Sequence, residues 1–447
     1  MKAPKDIVPS ARERLFITVL LCATSIISSC TGSLATKGRN LIEKGEYVEA
    51  IDIYSREVAK NPDKKDSWRE LAFAYYKKGE YPGALEAINK ADQTDPSTFL
   101  CRGLILESSG DDEQAIKAYS DALTFNPGEK TRALIKSHLD VLIRTSLQGE
   151  IDNAVAQEST LVSSEIPDNT IAVVKFDGTL LPKETAPIAA GIGEFTMVDL
   201  SKVETLRLVE RLKVEILLKE LEIASSAAVD PAQAPRVGRL LGSKNVVTGK
   251  LVGAGVERFR LDGALVNTTD ASSKLTEPGE AGLVLDQILQ VQKAMVFDIL
   301  EYLGVQPSDA NRDSIMTKPT ESLEAFLAFS RGLEFMMLGM YEEAIEQFRL
   351  ALQYDGGFEL ASAQLENAQI AFDNRQFGAA TPFQLENQFF LDVFNQGLGN
   401  GEMLTNFIDN SDILQPGNEN PTRLPNKPPQ VGQGRTSAAV TGNIDGD

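Results

Sequence analysis

Few residues of this chain could carry out acid–base, nucleophilic or metal chemistry: its 447 residues include one histidine and three cysteines. His138 lies between Ser137 and Asp140 in a helical pattern. Helix neighbours one and two apart point in different directions, so these residues make no triad, and a solvated histidine is expected. Past residue 30 the only cysteine is Cys101, too little for a Cys/His metal cluster. Gly191-x-Gly193 lacks the later glycine and the preceding strand of a nucleotide loop and reads as a turn. Glu220 and Glu222 fall on different faces of a helix as ordinary solvated charge. No base, nucleophile and oxyanion donors converge, so no catalytic residue, metal or cofactor is assigned and the chain reads as a non-enzyme.

The thiol with a recognisable setting is Cys30. Lys2, Lys5, Arg12 and Arg14 precede an apolar run from Leu15 to Ile27, interrupted by Thr18, Thr24 and Ser25. A basic stretch followed by about 7–15 apolar residues is a secretion signal, and it is shorter than the about 20 residues of a spanning helix. Ile27-Ser28-Ser29-Cys30 resembles the lipobox of bacterial lipoproteins, in which small residues let extended backbone enter a peptidase and the thiol takes a diacylglycerol. The resemblance implies removal of residues 1–29 and lipidation of Cys30. Thr31 and Gly32 stand where an Asp would favour inner-membrane retention, which points to the outer membrane, facing the periplasm. Cleavage removes four basic and two acidic side chains, taking the formal charge from −20 to −22. So acidic a surface repels phosphate backbones and argues against nucleic acid. Cys101 then has no partner for an internal disulfide.

Residues 30–155 repeat. Gly45-Glu-Tyr47-x-x-Ala50-x-x-x-Tyr54 recurs 34 residues on as Gly79-Glu-Tyr81-x-x-Ala84-x-x-x-Ile88, and 31 further on as Gly110-x-x-x-x-Ala115-x-x-x-Tyr119. With Trp68, Ala72 and Tyr75 these resemble tetratricopeptide repeats, although Leu41 and Glu57 depart from the pattern. A small residue (Gly38, Ala72 or Gly103) is needed where the helices of a pair cross. Tyr54, Ile88 and Tyr119 are the large residues that fill the space between pairs, and Pro62, Pro96 and Pro127 end each second helix. Stacked pairs make a concave surface from exposed first-helix positions, here Arg69, Phe73, Tyr76 and Lys77. Aromatic and basic groups together suit an extended peptide or an acidic tail, or else Phe73 and Tyr76 pack on a neighbouring helix; both readings stand. A helix at Thr131–Leu147, with Ala133, Leu134, Leu139, Leu142 and Ile143 mostly on one face, would cover the open end.

From Asn169 to Val305 the pattern becomes α/β. Ile171–Val174, Leu206–Val209 and Asn245–Thr248 read as buried strands. Leu212 to Leu221 reads as a helix with Leu212, Ile216, Leu217 and Leu221 on one face, and Asp230-Pro231 as a helix start. A last helix, Leu283 to Leu303, carries a broad apolar stripe. Ile171-Ala-Val-Val-Lys-Phe176, Leu208-Val-Glu-Arg211, Leu217-Leu-Lys-Glu-Leu221 and Arg239–Gly249 resemble the CsgG/HfaB family of curli-secretion and holdfast-anchoring lipoproteins. That resemblance implies a periplasmic α/β sandwich that multimerises and serves export or attachment. The curli member also inserts strands to form a channel. Two membrane hairpins need about 40 residues. The 33 residues between Gly249 and Leu283 include Glu257, Arg258, Arg260, Asp262 and Asp270, which argues for a scaffold.

A linker is expected over Gln306–Pro319. Residues 320–375 then give a solitary tetratricopeptide-like hairpin: Gly332 and Phe335, then Gly339-Met-Tyr341-x-x-Ala344-x-x-x-Phe348, with Gly356 replacing the proline. One repeat cannot bury both faces, so it must pack on the helix Phe358–Phe372 or on the middle domain. Residues 411–447, rich in Asn, Pro and Gly, are expected to be disordered. The whole reads as a multidomain α and α/β protein: a helical solenoid, a central α/β sandwich and a C-terminal hairpin with a tail. Its expected role is a lipid-anchored, homo-oligomeric scaffold for periplasmic or outer-membrane proteins, the alternative being an oligomeric secretion channel.

Overall fold

The computed structural model describes residues 36–162, 165–221, 233–255 and 257–394; Cys30, Glu222, the Asp230-Pro231 helix start and the tail lie outside them. The repeats form α1 (36–43), α2 (Tyr47–Lys60), α3 (Lys65–Lys78), α4 (Tyr81–Ile88), α5 (Pro96–Ser108) and α6 (Asp112–Thr124). Their small residues are steric requirements. A Cβ on Gly38 would lie 2.5 Å from the Tyr54 ring, and one on Gly103 2.4 Å from Tyr119. The large side chain thus fills the crossing inside its own pair rather than only the gap between pairs. Gly45, Gly79 and Gly110 turn each pair at φ of +77°, +80° and +83°, a region that disfavours side chains bearing a Cβ. Pro62 follows α2, as expected. Pro96 instead opens α5 behind Asp95, whose carboxylate accepts the Ser97 N–H at 2.8 Å: its fixed φ suits a first turn, where no N–H is missed.

The closing helix, α7 (Glu129–Ala156), is longer than expected, and its inward face matches only in part: Leu142 is buried and Leu134 and Leu139 pack on the repeat core, Ala133 is exposed, and Thr131, Ile135, His138, Leu147 and Ile151 are buried as well. Leu142 belongs to the repeat core, Ile151 to a core of the α/β region.

That region is one mixed sheet of β1 (Thr170–Val173), β2 (Asp177–Leu180), β3 (Arg207–Leu208), β4 (Asn245–Gly253), β5 (Arg258–Asn267), β6 (Ser273–Leu275) and β7 (Gly279–Gly282). The order is β3-β1-β4-β5-β6, with β2 also beside β4 and β7 beside β5. β1 runs parallel to β3 and β4, while β4 and β5 form an antiparallel ladder from Asn245↔Asn267 to Gly253↔Phe259. Side chains alternate as a pleat requires. Ile171, Val173, Val247 and Leu265 face the core containing α8 (Ile188–Ser201) and α11 (Leu285–Tyr302). Ala172, Val174, Val246 and Val266 face α9 (Arg211–Glu220), α10 (Ala234–Leu241) and the end of α7.

Several expectations need correction here. The third strand is a two-residue edge, because β1 is its one partner. In α9 the buried residues are Val214, Leu217 and Leu218, leaving Leu212, Ile216 and Leu221 half-buried. Gly191-x-Gly193 is no turn but buried helix in α8, where a Cβ on Gly191 would meet Ser330 Oγ at 2.1 Å. Within α8, buried Asp199 accepts from Lys293 at 2.5 Å, Gln292 at 3.0 Å and Lys202 at 2.8 Å. Burial pulls the Lys293 ammonium below its ordinary pKa, against the opposing pull of Asp199.

The expected linker holds α12 (Asp309–Met316), fixed by buried Ile315. The hairpin follows as α13 (Leu323–Met337) and α14 (Tyr341–Tyr354), then α15 (Glu359–Phe377). Gly332 repeats the small-residue device: a Cβ would lie 2.4 Å from Phe348. Both foreseen packing partners serve. The Phe358 ring lies tilted 4.8 Å from Phe329, and Phe195 of α8 lies 5.3 Å from Phe326. A further helix, α16 (Pro382–Phe394), falls in the unassigned stretch between residue 375 and the tail. No described helix is long and apolar enough to cross a membrane.

Candidate functional site

Concave-face residues of α3 and α5, with α1 and α7 at the margin, form a groove, and α16 occupies it. Leu385 and Phe389 are fully buried there. The Phe389 ring lies 4.6 Å from Phe73, with Phe390 and Phe394 each at 6.3 Å. Around this apolar strip the polar pairing is complementary. Tyr76 Oη donates to Glu386 Oε2 at 3.1 Å, and Lys77 pairs with the other oxygen of that carboxylate. Thr131 Oγ1 donates to Asp392 Oδ2 at 2.6 Å, and the Arg39 guanidinium donates to the Phe394 carbonyl. Burial, then the Glu386 charge, pushes the Tyr76 hydroxyl above its ordinary pKa.

The link into α16 is also held. Ser137 Oγ accepts the Ala380 N–H at 2.9 Å, and His138 Nδ1 meets the Ala380 carbonyl at 2.8 Å. His138 Nε2 lies 2.9 Å from Glu107, which also accepts the Tyr119 hydroxyl at 2.8 Å. The expected solvated histidine is therefore a buried one, because α5 and residue 380 bring acceptors to both ring nitrogens. Burial alone would lower its pKa, but the Glu107 hydrogen bond and charge, with the Ala380 carbonyl, hold it above the ordinary value. Two acceptors suit the imidazolium, which donates from both nitrogens.

The four residues assigned to the concave surface are not freely exposed. Phe73, Tyr76 and Lys77 converge on α16, which also meets the alternative of packing on a helix, one whose Glu386 lies 310 residues from Tyr76. Arg69 is buried and turned to Asp95 and Asp66, holding one repeat to the next. Cys101 is buried, and burial pushes its thiol up to about 12, so it is not a reactive nucleophile. Local periodicity missed α16 as an occupant, although Leu385 and Phe389 stand at helical spacing behind Thr381-Pro382.

A cavity of about 690 Å³ lies elsewhere, beyond the carboxyl end of β1, among α7, α8, α9 and α13. Met197, Leu212, Ile216 and Met336 wall it, and Arg211 is engaged there with Glu194 and Glu215 at 3.2 Å each.

Residues 148–272 match the family described as "Curli production assembly/transport component CsgG", and 36–97 and 102–129 match tetratricopeptide repeat families. The chain thus combines a CsgG-like region with tetratricopeptide repeats, both families of scaffold or transport type, and together they suggest a protein-interaction or secretion-related role. The CsgG family is associated with the outer membrane. No curated protein matches the chain. Similar solved structures include the TPR2AB-domain:pHSP90 complex of yeast Sti1, at 12% identity and a TM-score of 0.26 over 78% of this chain and 100% of the other. Yeast Tom70 matches at 13% identity and a TM-score of 0.24 over 83% and 78%.

Proposed function

We propose that the protein is a lipid-anchored adaptor at the periplasmic face of the outer membrane. Cys30 carries the lipid, the repeats recruit a protein partner through Phe73, Tyr76 and Lys77 on a frame braced by Arg69, and the CsgG-like region multimerises or docks on an export or envelope-assembly machine. The observation that carries this reading is the groove itself: it accepts a protein helix through aromatic contacts ringed by charge-matched hydrogen bonds. The rival reading, an oligomeric secretion channel, draws on the same 148–272 match. Against it, residues 249–283 supply most of β4 and all of β5, β6 and β7, packed on α11, which supports the scaffold.

Mass spectrometry of the mature N-terminus, with cross-linked pulldown from membranes, tests the adaptor. A diacylated Cys30 and recovery of a secretion or wall-assembly protein are expected. An unmodified thiol, or ion conductance by the purified protein in a bilayer, defeats it.

A further inference from the structure

Resting on the reading of the groove as a partner site, we propose that α16 is a removable internal ligand, holding the place of an amphipathic partner helix with the same acidic and aromatic face. That face carries Glu386, then Phe389 three residues on, then Asp392, with Leu385 and Phe394 extending the apolar strip. Each carboxylate meets a donor of the repeats, Glu386 at Tyr76 and Lys77 and Asp392 at Thr131. In a chain of formal charge −20, such donors ringing an apolar groove select an acidic helix.

Two features make α16 removable. The repeats close their own crossings without it, since Tyr54 and Tyr119 seat on Gly38 and Gly103. And α16 has 13 residues, about the length below which an isolated helix is marginal in water, so it leaves by unfolding and carries that ordering cost while bound. The Ala380 anchor and the short link from α15 offset this cost. A tether this short gives an effective concentration of about millimolar, so an outside helix competes poorly until α16 is loosened.

The test is a fluorescent synthetic peptide with the sequence of residues 381–395, titrated by anisotropy into the purified full chain. Phe389→Ala in the protein removes the main anchor of α16 and should tighten peptide binding at least tenfold over the unaltered chain. Adding Phe73→Ala to that variant should abolish the gain. A charge swap gives a second arm: a peptide with Lys in place of Glu386 should bind only when the protein carries Lys77→Glu together with Phe389→Ala. A Phe389→Ala chain with unchanged circular dichroism and no gain in peptide binding overturns the proposal. So does loss of helical content far beyond 13 residues, which would mean that the repeat core, into which Leu385, Phe389 and Phe394 pack, does not hold without α16. Concentration-dependent dimers abolished by Phe389→Ala would assign the groove to α16 of a second copy and also overturn it. Peptide exchange without recovery of any envelope protein would sink the adaptor reading and leave this inference standing. Capture of a partner with an affinity indifferent to Phe389→Ala would sink this inference alone.

Discussion

The same helical hairpin occurs at both ends of this chain and is put to different use. In the repeats and in α13–α14 a glycine seats an aromatic ring, Gly38 under Tyr54, Gly103 under Tyr119 and Gly332 under Phe348. What flanks that device differs. α13 presents Phe326 and Phe329, which merge with Phe195 and Phe358 into a dry aromatic cluster shared with the sheet domain. α3 presents Phe73 beside Tyr76 and Lys77, so whatever lies against it must satisfy a hydroxyl and an ammonium. The seating residues specify a helix pair, and the polarity of the next position out decides whether the pair is sealed or can exchange its neighbour.

The largest effect should come from the sealed side. Asp199→Ala leaves Lys293 buried without its carboxylate and should cost about 3–5 kcal/mol in denaturant unfolding; a cost near zero would mean that the pair is solvated. Next, Phe329→Ala and Phe389→Ala delete the same ring from the two regions. Phe329→Ala should lower global stability by about 3–5 kcal/mol. Phe389→Ala should leave the main transition nearly unmoved while limited proteolysis begins to cut within 378–394; equal losses of global stability would erase the contrast. Lys77→Ala removes one partner of a pair whose side chains remain 24% and 15% exposed. It should weaken α16 docking by about 1 kcal/mol, read as faster cleavage of the same link.

The smallest effect is a pH dependence confined to the repeats. Glu70 is pushed up to about 7, first by burial, and His138 is held above its ordinary value by Glu107 and Ala380. Both groups bind more protons folded than unfolded, so each contribution is complete at low pH and declines with rising pH. The Glu70 share is lost on the way to about pH 7, and the His138 share as pH climbs through its raised folded value. Repeat stability should therefore be lower at pH 8.5 than at pH 6, with the link at Ala380 cleaved faster. His138→Gln should flatten the upper part of that trend.

Much of this was legible because it is local. Helix pairs follow from 34-residue spacing, and the apolar stripe expected on the last helix is the buried face of α11 from Leu285 to Leu300, which buried Gln292 and Lys293 share. The sheet was half legible: β1 and β4 are apolar runs, but β6 is wholly exposed and β7 is half glycine, so only pairing with β5 makes them strands. The setting of His138 is hidden for a related reason, since its acceptors come from 31 and 242 residues away, beyond any reading of helix neighbours. The groove residues were picked out by position alone. Their occupant was not, because complementarity between Lys77 and Glu386 leaves no trace in the spacing of either.

α7 runs unbroken for 28 residues, about 42 Å, with Leu142 fixed in one core and Ile151 in another. α7 thereby ties the wall of the groove to α9 and α10 in one uninterrupted element. The repeats and the sheet share a single strut, and neither can shift against the other without bending it or unseating Leu142 or Ile151.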